Sequence, residues 1–105
     1  MKLYIGTVTE GDWQVSVHDL ADGTTGPLFH DVQHSPDGFA WGYPGAGPQD
    51  LARCLLRDAL GEEAPPAFAL RYRRQVLELL NKDAGFSMSQ NSIITWCRNQ
   101  PDFEE

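Results

Sequence analysis

The sequence predicts an α+β domain, an antiparallel sheet of about four strands in a meander with about three helices packed on one face. Three observations lead there. Residues 2–19 alternate apolar and polar side chains on both sides of a Glu-Gly turn. Residues from Pro48 to Leu60 repeat apolar side chains at helical spacing between a proline start and a glycine stop. Strand-like segments come first and helical ones follow, without the strict alternation that builds a parallel sheet.

In "KLYIGTVTEGDWQVSVHDL", Leu3, Ile5 and Thr7 alternate with Lys2, Tyr4, Gly6 and Val8. After "TEGD", Trp13, Val15 and Val17 alternate with Gln14, Ser16 and His18. Period-two patterning around a tight turn is a β-hairpin with one buried face. A Gly/Thr-rich loop follows, and "PLFHDVQHS" reads as a short third strand. Ser35-Pro36-Asp37-Gly38 is a turn, with proline presetting the second position and glycine accepting positive φ. "FAWGY" reads as a fourth strand, with Phe39, Trp41 and Tyr43 on one face and the small Ala40 and Gly42 against a close neighbour.

"GPQDLARCLLRDALG" carries nearly every helix signal: Gly47 as N-cap, Pro48 at the first position, Asp50 in the first turn and Gly61 as a left-handed stop. Leu51, Cys54, Leu55 and Ala59 form its apolar face. A second helix is expected from about Pro66 to Asn81, burying Phe68, Tyr72, Val76, Leu79 and Leu80. "FSMS" resembles a short extended piece, and Ser89 is placed to cap a third helix bearing Ile93, Ile94 and Cys97. One domain over residues 1–100 is expected, followed by a frayed tail over 101–105.

The 105 residues are 41% hydrophobic and 22% charged, the balance of an ordinary folded domain. Without a membrane-length apolar run or a signal-peptide core, the expected location is the cytoplasm. Cys54 and Cys97 fall on apolar helix faces, where reduced thiols pack as small hydrophobes.

The net charge of −7 is unevenly placed. Residues 1–50 carry one lysine against seven carboxylates, and residues 51–105 carry seven basic against eight acidic side chains. An acidic half of this kind repels phosphate backbones, so direct nucleic-acid binding and membrane binding are not expected. It suits a basic protein surface instead, and Glu10, Asp12, Asp19, Asp22, Asp31 and Asp37 are the residues that would meet it.

Other chemistry is sparse. "GYPGAGPQD" has the outline of a glycine-rich turn feeding a helix start, the arrangement that holds phosphate on free amides. Tyr43, Gly45, Gly47 and Asp50 would form such a ligand corner. However, Pro44 and Pro48 lack amide protons and Asp50 brings negative charge where phosphate would sit. His30 and His34 are spaced for a helical metal site, but their segment reads as extended, and no metal or cofactor is expected. Ser35 adjoins His34, yet neighbours along a strand point apart, so no catalytic residue is assigned. The one basic cluster, Arg71 to Arg74, suggests an interface centred on Arg71 and Arg74 beside an exposed Tyr72.

Several of these segments together resemble a family of short bacterial and phage-borne proteins, domain of unknown function 6166. The matching residues are Tyr4-Ile5-Gly6, the block "HSPDGFAWGY" from His34 to Tyr43, the Gly-Pro and Leu-Ala elements between Gly45 and Ala52, and Phe86, Met88 and Ser89 before a late helix. The resemblance implies a compact accessory protein that travels on phages and mobile elements, and it carries no catalytic residue with it.

The expected function is therefore that of a non-enzymatic acidic binding protein. It would inhibit a bacterial defence complex, in the manner of an anti-CRISPR protein, by occupying a basic surface built for nucleic acid. The alternatives are a nucleotide or anion binder using the 43–50 corner, and an enzyme with a pocket joining Asp37, Asp50 and His34.

Overall fold

A computed structural model describes residues 1–35 and 37–103. The hairpin is β1 (Lys2–Thr9) and β2 (Asp12–Asp19), paired antiparallel from Lys2↔Asp19 to Thr9↔Asp12. Its loop is the two residues Glu10 and Gly11, at φ 52° and 79°. Positive φ at both central positions matches the right-handed twist of the strands on either side. Tyr4, Gly6 and Val8 of β1 lie opposite Val17, Val15 and Trp13 of β2, and this face turns toward the core.

The third strand, β3 (Thr25–Pro27), pairs with Ser16–His18 of β2 and is only three residues long. It lies earlier than "PLFHDVQHS", because the chain leaves the sheet after Leu28 donates to the Val15 carbonyl (2.9 Å). The fourth strand is likewise not "FAWGY". It is β4 (Phe86–Ser89), which pairs antiparallel with Leu3–Gly6 of β1 and gives the order β3-β2-β1-β4. Only β1, β2 and β3 form a consecutive meander.

Two local facts stop "FAWGY" from extending. Gly42 sits at φ +87°, and its N–H donates to the Leu77 carbonyl (2.8 Å). Trp41 is fully buried, with its ring 4.8 Å from Phe86 edge-on and its Nε1 donating to the Ala84 carbonyl (2.9 Å). Phe39 instead stacks on His30 (4.2 Å) and Tyr43 stays exposed, so the three aromatics share no face. Of the turn at 35–38, Pro36 lies outside the described residues; Ser35 Oγ donates to the Gly38 carbonyl (2.9 Å).

The helices are α1 (Ala46–Leu60), α2 (Pro66–Gln75) and α3 (Gln90–Arg98). Helix α1 begins two residues before Pro48, with Gly45 at its N-cap, and ends at Gly61 in the left-handed conformation. Asp50 is therefore beyond the first turn. Helix α2 stops at Gln75, short of Asn81, and Leu77–Leu79 form a separate 3₁₀ turn that leaves Leu79 exposed. Ser89 caps α3, its Oγ accepting from the Ser92 N–H (3.1 Å).

Leu51, Leu55 and Leu56 of α1, Phe68 and Tyr72 of α2, and Ile93 of α3 close over Tyr4, Val15 and Trp41 to form one core. Cys54 and Cys97 are buried there as free thiols. Gly6 has a defined packing role. The Phe86 ring of the neighbouring strand lies over it, in the volume a Cβ would fill. The end of the chain is also tied down as far as Phe103. Arg71 grips the Asp102 carboxylate at 2.9 and 2.7 Å, and Phe103 packs against the core.

Candidate functional site

The corner after His34 is built around Asp50. Its carboxylate is completely buried, on a helix face otherwise lined by Gly47, Leu51 and Cys54. A charge there needs donors, and the loop before the helix supplies them. Oδ2 accepts from the backbone N–H of Ser35 (3.0 Å) and of Gln33 (3.2 Å), Oδ1 accepts from that of His34 (3.1 Å), and Nε2 of His30 lies 2.9 Å from Oδ2. Burial pushes the Asp50 pKa up, yet the hydrogen bonds from His30, Ser35, His34 and Gln33 outweigh it and hold the group below the usual carboxylate value. The carboxylate is ionised and accepts only, so His30 carries its proton on Nε2.

The corner thus has the amides of an anion nest, and the anion is the chain's own side chain. The glycines make the close approach possible. A Cβ on Gly47 would lie 2.8 Å from Cβ of Ala40, and one on Gly45 would lie 2.6 Å from the Tyr43 ring. Outside them is an open depression of about 380 Å³ lined by His34, Gly45, Ala46, Gln49, Leu70 and Arg73. Tyr43, Gly45, Gly47 and Asp50 are close in space, but Asp50 faces inward and Tyr43 faces solvent.

The residues an enzyme would need are not brought together. Asp37 is exposed, Asp50 is sealed, and His34 approaches Asp50 through its backbone N–H. Ser35 Oγ is engaged by the Gly38 carbonyl. His18 lies on the sheet face opposite Val15 and Val17, its Nε2 3.1 Å from Oγ of Ser16. Among the described residues no group of three or more His, Cys, Asp or Glu side chains could hold a metal.

The basic cluster is also redistributed. Arg71 is committed to Asp102 and Gln100, and Arg73 to Glu78 (2.9 Å) and Gln49 (3.0 Å). Tyr72 is buried rather than exposed, so only Arg74 of the predicted interface pair projects free of a described ion pair.

The acidic residues divide sharply by partner. Asp31 is neutralised by Arg57 (2.9 Å) and Arg53 (3.2 Å), and hydrogen bonding to Arg57 helps hold its pKa low. Glu10, Asp12, Asp19, Asp22 and Asp37 have no ion-pair partner among the described residues. Asp19 and Asp22 accept local backbone N–H groups from Ala21 and Thr24, and the bonds from Thr24 keep Asp22 ionised to lower pH than usual. Glu10 and Asp12 sit at one end of β2 and Asp19 and Asp22 at the other, about 23 Å apart along an extended strand.

Contacts that sequence reasoning missed hold the hairpin to α1, at Asp58, and to the turn before β4, at Lys82. Tyr4 Oη donates to Oδ1 of Asp58 (2.7 Å), which also pairs with Lys2 Nζ (3.1 Å). Trp13 Nε1 donates to the Lys82 carbonyl (3.0 Å).

Fold and corner together define a small α+β domain whose scaffold is organised by the buried carboxylate of Asp50. The chain belongs to a family of unknown function (DUF6166), whose model matches residues 4–99. No curated protein and no solved structure gives a significant match. Tyr4, Gly6, Trp41 and Phe86, which carry the resemblance, are residues whose packing is described above. Among the described residues no helix is long and apolar enough to cross a membrane.

Proposed function

We propose that this chain acts by binding, its unpaired hairpin carboxylates docking on a basic protein surface shaped for nucleic acid. The observation that carries this reading is the division of charge. Lys2, Arg53, Arg57, Arg71 and Arg73 are each consumed by an internal carboxylate, whereas Glu10, Asp12, Asp19, Asp22 and Asp37 are left uncompensated. Carboxylates held this way steer association and select a basic partner.

The partner we propose is a bacterial defence complex, which the chain blocks as a phage-borne or mobile-element inhibitor in the cytoplasm. This step rests on the phage-borne character that the family resemblance implies. The test is expression of the chain in bacterial strains that each carry one defence system, followed by phage challenge. Restored plaque formation against at least one nucleic-acid-guided system is the expected result, with affinity for that complex falling as salt rises. No restoration across a panel of such systems overturns the reading.

A further inference from the structure

Strand β2 is an edge over its first three residues, Asp12–Gln14. In its antiparallel pairing with β3, Val15 and Val17 direct their backbone groups toward β3, the last such bond being Leu28 N–H to the Val15 carbonyl. Backbone direction alternates along a strand, so the N–H and C=O of Trp13 point the same way. There the line of β3 has ended: Phe29 turns out to solvent and His30 turns in to Asp50. Beside this vacated edge lies a groove of about 460 Å³, whose lining includes the apolar Trp13, Leu28 and Phe39 and the polar Thr7, Gln14 and Ser16. Glu10 and Asp12 stand at its turn end, and Asp37 adjoins Gly38 on the opposite wall.

From these features we infer that the Trp13 edge takes an extended, basic segment of a partner protein as an added strand. This deepens the binding reading above and rests on it. Exposed strand edges pair with any compatible strand unless charge forbids it. Glu10, Asp12 and Asp37 repel a second copy of this same acidic edge, and they attract lysine or arginine. Main-chain hydrogen bonds to Trp13 supply affinity, and alternate apolar side chains of the partner enter the groove between Trp13, Leu28 and Phe39. The basic side chains between them meet the carboxylates at the two ends.

The probe is a short alternating Lys-Val peptide with blocked termini, titrated into the full chain labelled for amide NMR at low salt. The expected result is saturable binding with the largest shifts at Trp13, Gln14, Val15 and Leu28. The same peptide N-methylated along one edge is expected to lose about tenfold or more in affinity, because it cannot donate to the sheet. The E10K/D12K variant is expected to lose a similar factor while keeping its thermal transition. Equal binding by the N-methylated peptide, or shifts centred on Asp19–Asp22, overturns the added-strand inference while leaving the charge-based reading intact. Dimerisation of the chain on the peptide-free edge also overturns it, with a second copy as the occupant. Failure of defence inhibition with normal strand addition would instead remove only the proposed function.

Discussion

Nε2 of His30 lies 2.9 Å from Oδ2 of Asp50, inside a loop whose three successive amides close on the same carboxylate. Residues 30–35 have no regular structure of their own. They are held to α1 by this one side chain, and the glycine-rich corner that resembles a phosphate loop is thereby a closed piece of scaffold.

Replacing Asp50 by alanine should therefore cost stability. The substitution leaves three amides and the imidazole without their acceptor, a loss of about 2–4 kcal/mol. Chemical denaturation should show a lower midpoint with an unchanged slope, and amide exchange at Gln33, His34 and Ser35 should accelerate.

The same carboxylate gives a pH signature with a definite sign. Its folded pKa lies below the unfolded value of about 3.9, so its stabilisation is complete above that value. It drains away as pH falls through the lower folded value. The stability gap between wild type and Asp50→Asn should narrow below about pH 4. Parallel acid titrations of the two proteins, followed by circular dichroism, measure the gap.

Gly6 and Phe86 should behave as one unit. A methyl group on Gly6 would overlap the Phe86 ring, so Gly6→Ala should destabilise by about 1–3 kcal/mol. Phe86→Leu gives way to that methyl. The double variant should then lose less than the two single losses added together, a coupling that a thermal double-mutant cycle reads directly.

Cys54 and Cys97 should be inert in the folded protein. Both are buried, and burial pushes both thiols up from their ordinary pKa. Labelling by a thiol reagent should follow the global unfolding rate and speed up with denaturant, with no fast phase in native buffer.

The hairpin was legible because its period-two pattern and Glu-Gly turn are local features. The caps at Gly61 and Ser89 were legible for the same reason. "FAWGY" imitated a strand because aromatics alternate with small residues there. The alternation has another cause: Phe39, Trp41 and Tyr43 each answer a different neighbour, and Gly42 breaks the extension. Strand β4 depends on pairing with β1 across 80 to 86 residues of sequence, so four residues of "FSMS" could suggest extension but not partnership.

The Asp50 cluster was hidden for a similar reason. Its donors lie 15 to 20 residues earlier, in a segment without periodicity. One signal was present: a carboxylate four residues before Cys54, on the apolar stripe of α1. Such a position calls for a partner. Charge was legible as a total, but which carboxylates remain free depends on where α1 places Arg53 and Arg57 beside Asp31.

The proposed recognition through the free carboxylates is tested most directly by measuring the affinity of D12K/D19K/D22K for whichever defence complex the phage-challenge panel identifies as the proposed partner. Asp12 is exposed, and Asp19 and Asp22 hold only local turn bonds from Ala21 and Thr24, so their reversal should abolish binding while the variant stays folded with a melting temperature lowered by about a few degrees. Undiminished binding by a fully folded triple variant would contradict it.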